Sequence, residues 1–378
     1  MTEATRGNVR ADLAALTRLA ETSIELVLRL QDASGAYPAS PTFSAYAGYS
    51  WFRDGAFIAD AMSAAGAPGS ADRFFDWCSR IVLSRRDTIE RVVTAAAAGT
   101  PVPNSQMLPA RFTFDGQDGT DEWWDFQLDG YGTWLWAVAQ HAERHDLALD
   151  ERRDAIGLTV DYLLSSWRRP CFDWWEEHEE HVHVSTLACI AAGIRAVSGV
   201  LDAGRREAIA DAVKEIEAVI LAAGVVDGHL TKWIGSTELD ASLLSAVAPL
   251  GLFPASGRIG AATIDVIGAH LTHERGVYRY LDDTFFGGGQ WPLLSCFLGL
   301  ALAEAGDRDA ALEQLAWAAG TADPAGSLPE QVDYALLDAT RRAEWVERWG
   351  PVAQPLLWSH AMFIRLALEV GVLEALDA

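Results

Sequence analysis

Residues 291–303 read WPLLSCFLGLALA, a helix of which would have no polar face to turn to water. Residues 184–197, VSTLACIAAGIRAV, have the same character, apolar almost all round and rich in small side chains. Helices of this kind belong in an interior, enclosed on every side. Segment 203–223, AGRREAIADAVKEIEAVILAA, differs: Ile209, Val213, Ile216 and Ile220 share one face and charges fill the other, which suits an outer surface. A chain that alternates the two kinds calls for two concentric rings.

Helical periodicity extends that alternation over twelve segments, 8–31, 55–66, 70–97, 130–146, 150–167, 184–200, 203–223, 240–249, 258–271, 291–305, 307–320 and 355–375. Strand alternation is confined to short ribbons in the loops. The fold class is therefore all-α, and the expected architecture is an (α/α)6 barrel of six inner and six outer helices. A stacked solenoid would repeat at a fixed period, and none is present. One barrel is expected to take up residues 1–378 as a single domain.

Composition narrows the partners. With 53 acidic and 29 basic residues the formal net charge is −24, which repels nucleic acid and anionic lipid. No run of eighteen apolar residues offers a membrane span. The N-terminus lacks the basic–apolar–small order of a secretion signal, so a cytoplasmic location is expected. Cys78, Cys171, Cys189 and Cys296 are scattered without CxxC spacing and suit buried thiols. The composition leaves oligomeric state open.

Unusual residues gather in six loops, each leading into a proposed inner helix. These are YSWFRDG (49–55), DEWWDFQLDGYG (121–132), DWWEEHEEHVH (173–183), KWIGSTELD (232–240), RYLDDTFFGGGQW (279–291) and SLPEQVD (327–333). All six would open at one end of the barrel, and loops on a rigid scaffold are where sites concentrate. Tryptophan faces beside carboxylates and arginines describe a carbohydrate site: ring faces stack on sugars, and charged groups bind hydroxyls. Cleaving a glycosidic bond needs two carboxyl groups, a protonated acid and an ionised base. Glu176, after Trp174-Trp175, has the apolar setting of the acid, and Glu330 is a candidate base in more polar surroundings. On composition alone this pair is one among many, since the loops hold more than a dozen acids.

The loops resemble those of glycoside hydrolase family 15, the glucoamylases and their relatives, in order from 49 to 333. YSWFRDG resembles the family's tryptophan–Arg-Asp element, which implies that Arg53 and Asp54 bind a terminal glucose, with Trp51 and Tyr49 beside them. WWDFQLDGYG is similar to its Gln-x-Asp-Gly element, implying a stacking role for Trp123 with Gln127 and Asp129 nearby. WWEEHEEHVHVSTLA resembles the general-acid segment and implies Glu176 as acid, with Trp175 and Glu177 as substrate-binding residues. Lys232 and Trp233 from the fourth loop join that set. YRYLDDTFFGGGQW looks like the segment whose arginine, here Arg279, grips glucose hydroxyls, with Trp291 closing the wall. LPEQVD is similar to the general-base segment, implying Glu330 as base and Gln331 beside the attacking water.

The resemblance implies an exo-acting hydrolase that inverts the anomeric carbon and releases β-glucose from short α-gluco-oligosaccharides, without a cofactor. A chain read as barrel only, with neither β-sandwich nor starch-binding module, most resembles the isomaltose-type members, so α-1,6 linkages are expected. Maltose- or trehalose-type cleavage and a non-catalytic sugar-binding barrel stay open. Near YSWFRDG the family's expected aromatic is replaced by Ala47 or Gly48, leaving Tyr46 or Tyr49 to take its contact. The histidines His178, His181 and His183 lack an i,i+4 frame, so a solvated loop is expected there rather than a metal site. The run Gly287-Gly288-Gly289 is read as a loop passing close to substrate.

Overall fold

The structure is a computed structural model that describes residues 3–376. Its helices are α1 (Glu3–Leu30), α2 (Phe52–Ala64), α3 (Pro68–Ser84), α4 (Arg86–Ala97), α5 (Asp129–His145), α6 (Arg153–Ser166) and α7 (Val184–Ala196). They continue with α8 (Ala203–Ala223), α9 (Leu244–Val247), α10 (Arg258–His270), α11 (Pro292–Glu304), α12 (Arg308–Gly320), α13 (Arg342–Trp349) and α14 (Leu357–Glu369).

Helices α2, α5, α7, α9, α11 and α14 pack in that order, and α14 closes on α2. This is the inner ring. From Pro292 to Ala301 every residue of α11 is buried, as its composition demands. The outer helices show the complementary pattern: α8 buries Ile209, Ala212, Ile216 and Ile220 and exposes its charges. With α1, α3, α6, α8, α10 and α12 outside, the chain forms an (α/α)6 barrel.

Two inner helices approach more closely than side chains allow. A Cβ on Gly193 would stand 2.1 Å from Gly132 O, and one on Gly132 would stand 2.5 Å from Cys189 O. Glycine at both positions lets the α5 and α7 backbones touch.

Three segments depart from the sequence reading. The expected helix 70–97 breaks at Arg85, whose side chain leaves to bond Gly116 O at 2.9 Å and Asp118 at 2.5 Å. The expected 240–249 helix shrinks to α9: Ala248 is extended, as a residue preceding proline prefers. Helix α13 was not expected at all. The ribbons are three antiparallel pairs: β1 (Tyr49–Trp51) with β2 (Arg111–Thr113), β3 (Val225–Val226) with β4 (His229–Leu230), and β5 (Thr272–His273) with β6 (Gly276–Val277).

Candidate active site

A cavity of about 380 Å³ opens at the N-terminal ends of the inner helices, at the small end of the roughly 300–1,000 Å³ typical of ligand pockets. Its lining includes Glu176, Glu330, Trp51, Arg53, Asp54, Trp123, Trp175, Glu177, Arg279 and Trp291. Helix N-termini favour negative charge, which suits the carboxylates collected here.

Glu176 sits in a tight turn built on Asp173. The Asp173 carboxylate accepts from Trp175 N (2.9 Å) and Glu177 N (3.0 Å), and its carbonyl accepts from Glu176 N (3.0 Å). The turn puts Glu176 in the left-handed region, at φ 65°. A non-glycine residue persists there when its surroundings enforce it. Glu176 Oε1 accepts from Trp51 Nε1 at 2.8 Å and Gln127 Nε2 at 3.0 Å.

Glu330 faces the same cavity from a stretch without regular structure. Its amide bonds Ala353 O, and the amide of Val332 bonds Gln290 O, both at 2.9 Å. The glycine run supports this stretch rather than the substrate: a Cβ on Gly289 would meet Val332 O at 2.2 Å. Glu330 Oε1 accepts from the Tyr46 hydroxyl at 2.9 Å, and Oε2 is buried without a partner. Burial pushes this carboxyl up to about 8, while Tyr46 and Arg279 pull it down. The polarity expected from sequence is therefore reversed: Glu330 has the drier setting and Glu176 the more donors. The two are coupled, because the Glu176 charge is among the causes that raise Glu330. A proton on Glu176 removes that cause and favours ionised Glu330.

The closed end is formed by Arg53 and Asp54 in the first turn of α2, with Trp358 from α14. Arg53 Nη1 bonds Gln127 (2.7 Å) and Asp129 (2.8 Å), so a single guanidinium joins this end to the Glu176 cradle. Burial lifts Asp54 to about 7, against the pull of Arg53. On the next wall Arg279 forks onto Asp283 (2.7 and 2.5 Å) and reaches Glu177 at 3.3 Å. Burial alone would raise Glu177, but Arg279, the Tyr280 hydroxyl and Lys232 together hold it low. Trp175, Phe285 and Trp291 surround the Arg279 guanidinium at 5.2–5.5 Å.

Six of the expected site residues do not line the cavity. Tyr49 turns away: its hydroxyl donates to Asp121 at 2.6 Å and its ring lies 3.8 Å from the Arg111 guanidinium. Gln127 and Asp129 form the layer behind Glu176 and Arg53. Lys232 is buried 3.4 Å from Asp240, which in turn accepts from Trp175 Nε1. Trp233 stacks on His181, with centroids 4.1 Å apart and planes at 9°. Gln331 Oε1 accepts from Gly289 N at 2.7 Å, behind Glu330.

Of the two tyrosines offered for the missing aromatic, Tyr46 lines the cavity; Phe43, Phe285, Trp345, Trp349 and Trp358 line it too and were not anticipated. Trp345 and Trp349 stand i,i+4 on α13, a spacing visible in RRAEWVERW (341–349). Arg111 was missed as well; it lies between Tyr49 and Trp123, 3.8 Å from each ring centroid, and steadies the tryptophan. The histidine loop is not simply solvated, since His183 is buried and His178 lines the cavity.

Comparison with known proteins agrees with this fold. The family model of glycosyl hydrolases family 15 matches residues 14–298, which include Glu176 and stop short of Glu330. The chain is 50% identical over 365 residues to the isomaltose glucohydrolase of Kribbella flavida, covering 96% of this chain and 95% of that protein. A solved glycosidase in complex with glucose is also 50% identical, with a TM-score of 0.94 over 96% of this chain and 99% of that one. The glucoamylase of Saccharomycopsis fibuligera shares the fold at 14% identity, with a TM-score of 0.73 over 94% of each chain.

Proposed function

This chain belongs to glycosyl hydrolases family 15, and on that premise we propose that it is an exo-acting, inverting hydrolase of short α-glucosides, with α-1,6-linked isomaltose as its best substrate. The observation that carries the reading is the pair Glu176 and Glu330, two carboxyl groups brought from the segments before α7 and α14 into one small aromatic cavity.

In this reading the terminal glucose enters first and meets Arg53 and Asp54 at the closed end. Glu176 gives its proton to the glycosidic oxygen as the bond to the leaving sugar breaks. Glu330 takes a proton from the water that attacks the anomeric carbon from the opposite face. The products are β-glucose and the shortened sugar. Each carboxyl group ends with its protonation reversed, and solvent restores both. The charge held by Arg53 and Arg279 in a site of low polarity orients the hydroxyls and strengthens as water leaves. The α-1,6 preference is supported by the similarity to the Kribbella flavida isomaltose glucohydrolase. The same reading takes residues 1–378 as one catalytic barrel acting in the cytoplasm. Among the described residues no helix is long and apolar enough to cross a membrane.

Proton NMR of the protein with isomaltose, maltose and trehalose in turn tests the proposal. Early β-glucose, fastest from isomaltose, is expected. Early α-glucose would overturn inversion, and faster release from maltose or trehalose would overturn the linkage.

A further inference from the structure

Beside Glu177 the cavity wall carries an imidazole, that of His178, to which the mechanism above gives no part. Its backbone is left-handed at φ 56°, two residues after Glu176. Two contacts hold it there: His183 Nε2 donates to His178 O at 2.9 Å, and His181 N donates to the same oxygen at 3.2 Å. His183 is itself buried, so this clamp belongs to the core rather than to a loose loop. The His178 ring lies 5.3 Å from the Trp233 ring, which fixes one side of it.

The neighbouring polar groups are already committed. Glu177 is taken up by Arg279 and Tyr280, and Trp175 Nε1 by Asp240. Among the described residues neither ring nitrogen of His178 has a hydrogen-bond partner, and the ring is only half-buried. Burial and the nearby Lys232 lower its pKa, so near pH 7 it presents one donor and one acceptor. A sugar hydroxyl offers the matching pair.

Depth decides which sugar that is. Arg53 and Asp54 are buried at the inner end of the cavity, whereas Glu176 and His178 are both only half-buried, which puts the acid and the imidazole together on its more open side. We propose that His178 is a specificity-determining residue whose imidazole hydrogen-bonds a hydroxyl of the leaving sugar, the hexose beyond the scissile bond. The proposal rests on the hydrolase reading above.

The test compares isomaltose with α-glucosyl fluoride, whose leaving group is not a sugar. His178→Gly removes the ring without straining a positive φ, and His178→Phe keeps the bulk without the nitrogens. In both variants kcat/KM for isomaltose should fall about tenfold more than kcat/KM for the fluoride, the effect of losing one hydrogen bond. Equal losses on the two substrates, or no loss on either, would overturn the inference while leaving the hydrolase reading standing. A wild-type protein inert on isomaltose would instead overturn that reading, and the inference with it.

Discussion

The hydroxyl of Tyr46 donates to Glu330 Oε1 at 2.9 Å, and among the described residues that side chain receives no other hydrogen bond. The Tyr46 ring lies 5.4 Å from the Trp51 ring, and Trp51 Nε1 donates to Glu176 at 2.8 Å. Two aromatic side chains thus connect the two carboxyl groups, so neither acid is positioned independently of the other.

Tyr46→Phe removes the donor and leaves the ring. A hydrogen bond to a charged group contributes about 1.5–3 kcal/mol, so kcat/KM should fall roughly tenfold to a hundredfold near neutrality. The bond favours ionised Glu330, and without it the carboxyl titrates higher still. A base must be ionised, so the deficit should be largest at low pH and narrow as pH rises. A pH series of kcat/KM measures this; a deficit that widened with pH would contradict it.

The two glutamates should separate by leaving group. Fluoride departs without a proton, whereas a sugar needs one. Glu176→Gln should therefore lose about 10²–10⁴-fold on isomaltose, the usual range for general acid–base catalysis, and far less on α-glucosyl fluoride. Glu330→Gln should lose heavily on both. The opposite pattern would exchange the two roles.

Glu330 also costs the fold stability. Its folded pKa, about 8, lies above the roughly 4.3 of an unfolded glutamate, so the folded chain holds a proton that the unfolded chain releases. Stability from this group is complete below the unfolded value and is lost as pH rises through the folded one. Glu330→Gln should melt at a higher temperature than wild type, with a gap that grows from pH 4.5 to pH 8. Thermal melts across that range would detect it, and a constant gap would refute it.

Gly193→Ala places a methyl group against the backbone of α5, at 2.1 Å from Gly132 O. Overpacking in a tight core costs about 1–3 kcal/mol, and contact with backbone puts this case at the upper end. Chemical denaturation should show a loss of at least about 2 kcal/mol, whereas Gly199→Ala, in open space, should show almost none.

The barrel was legible because its rings demand opposite compositions: α11 has no face for water and α8 has only one for the core. The cavity's position followed from where the tryptophan-rich loops fall. What sequence left undecided was direction. Tyr46 and Tyr49 lie three residues apart, and only the pairing of β1 with β2 brings Arg111 and Asp121 beside Tyr49, leaving Tyr46 to reach Glu330. Lys232 and Trp233 read as binding residues because they lie in one of the six tryptophan- and acid-rich loops, yet their side chains face Asp240 and His181. Helix α13 was hidden by its length: eight residues, half of them charged, are too few for periodicity to register. Glu330's dry setting could not be foreseen, because burial sets it, and Tyr46, the donor that partly offsets it, is distant in sequence.

The cavity ends against Arg53, Asp54 and Trp358, and behind them the inner helices are filled by their own side chains. If the one opening of such a chamber is at its half-buried side, sugar enters and leaves by the same way. On the proposed reading, glucose held at its end is blocked by the sugar just severed from it, so departure has an order: the outer fragment goes first, glucose second. A longer chain cannot be threaded through or slid forward while the glucose remains. Each cut is therefore a separate visit, and at high turnover the emptying of the chamber is the step that crowding by free glucose would slow.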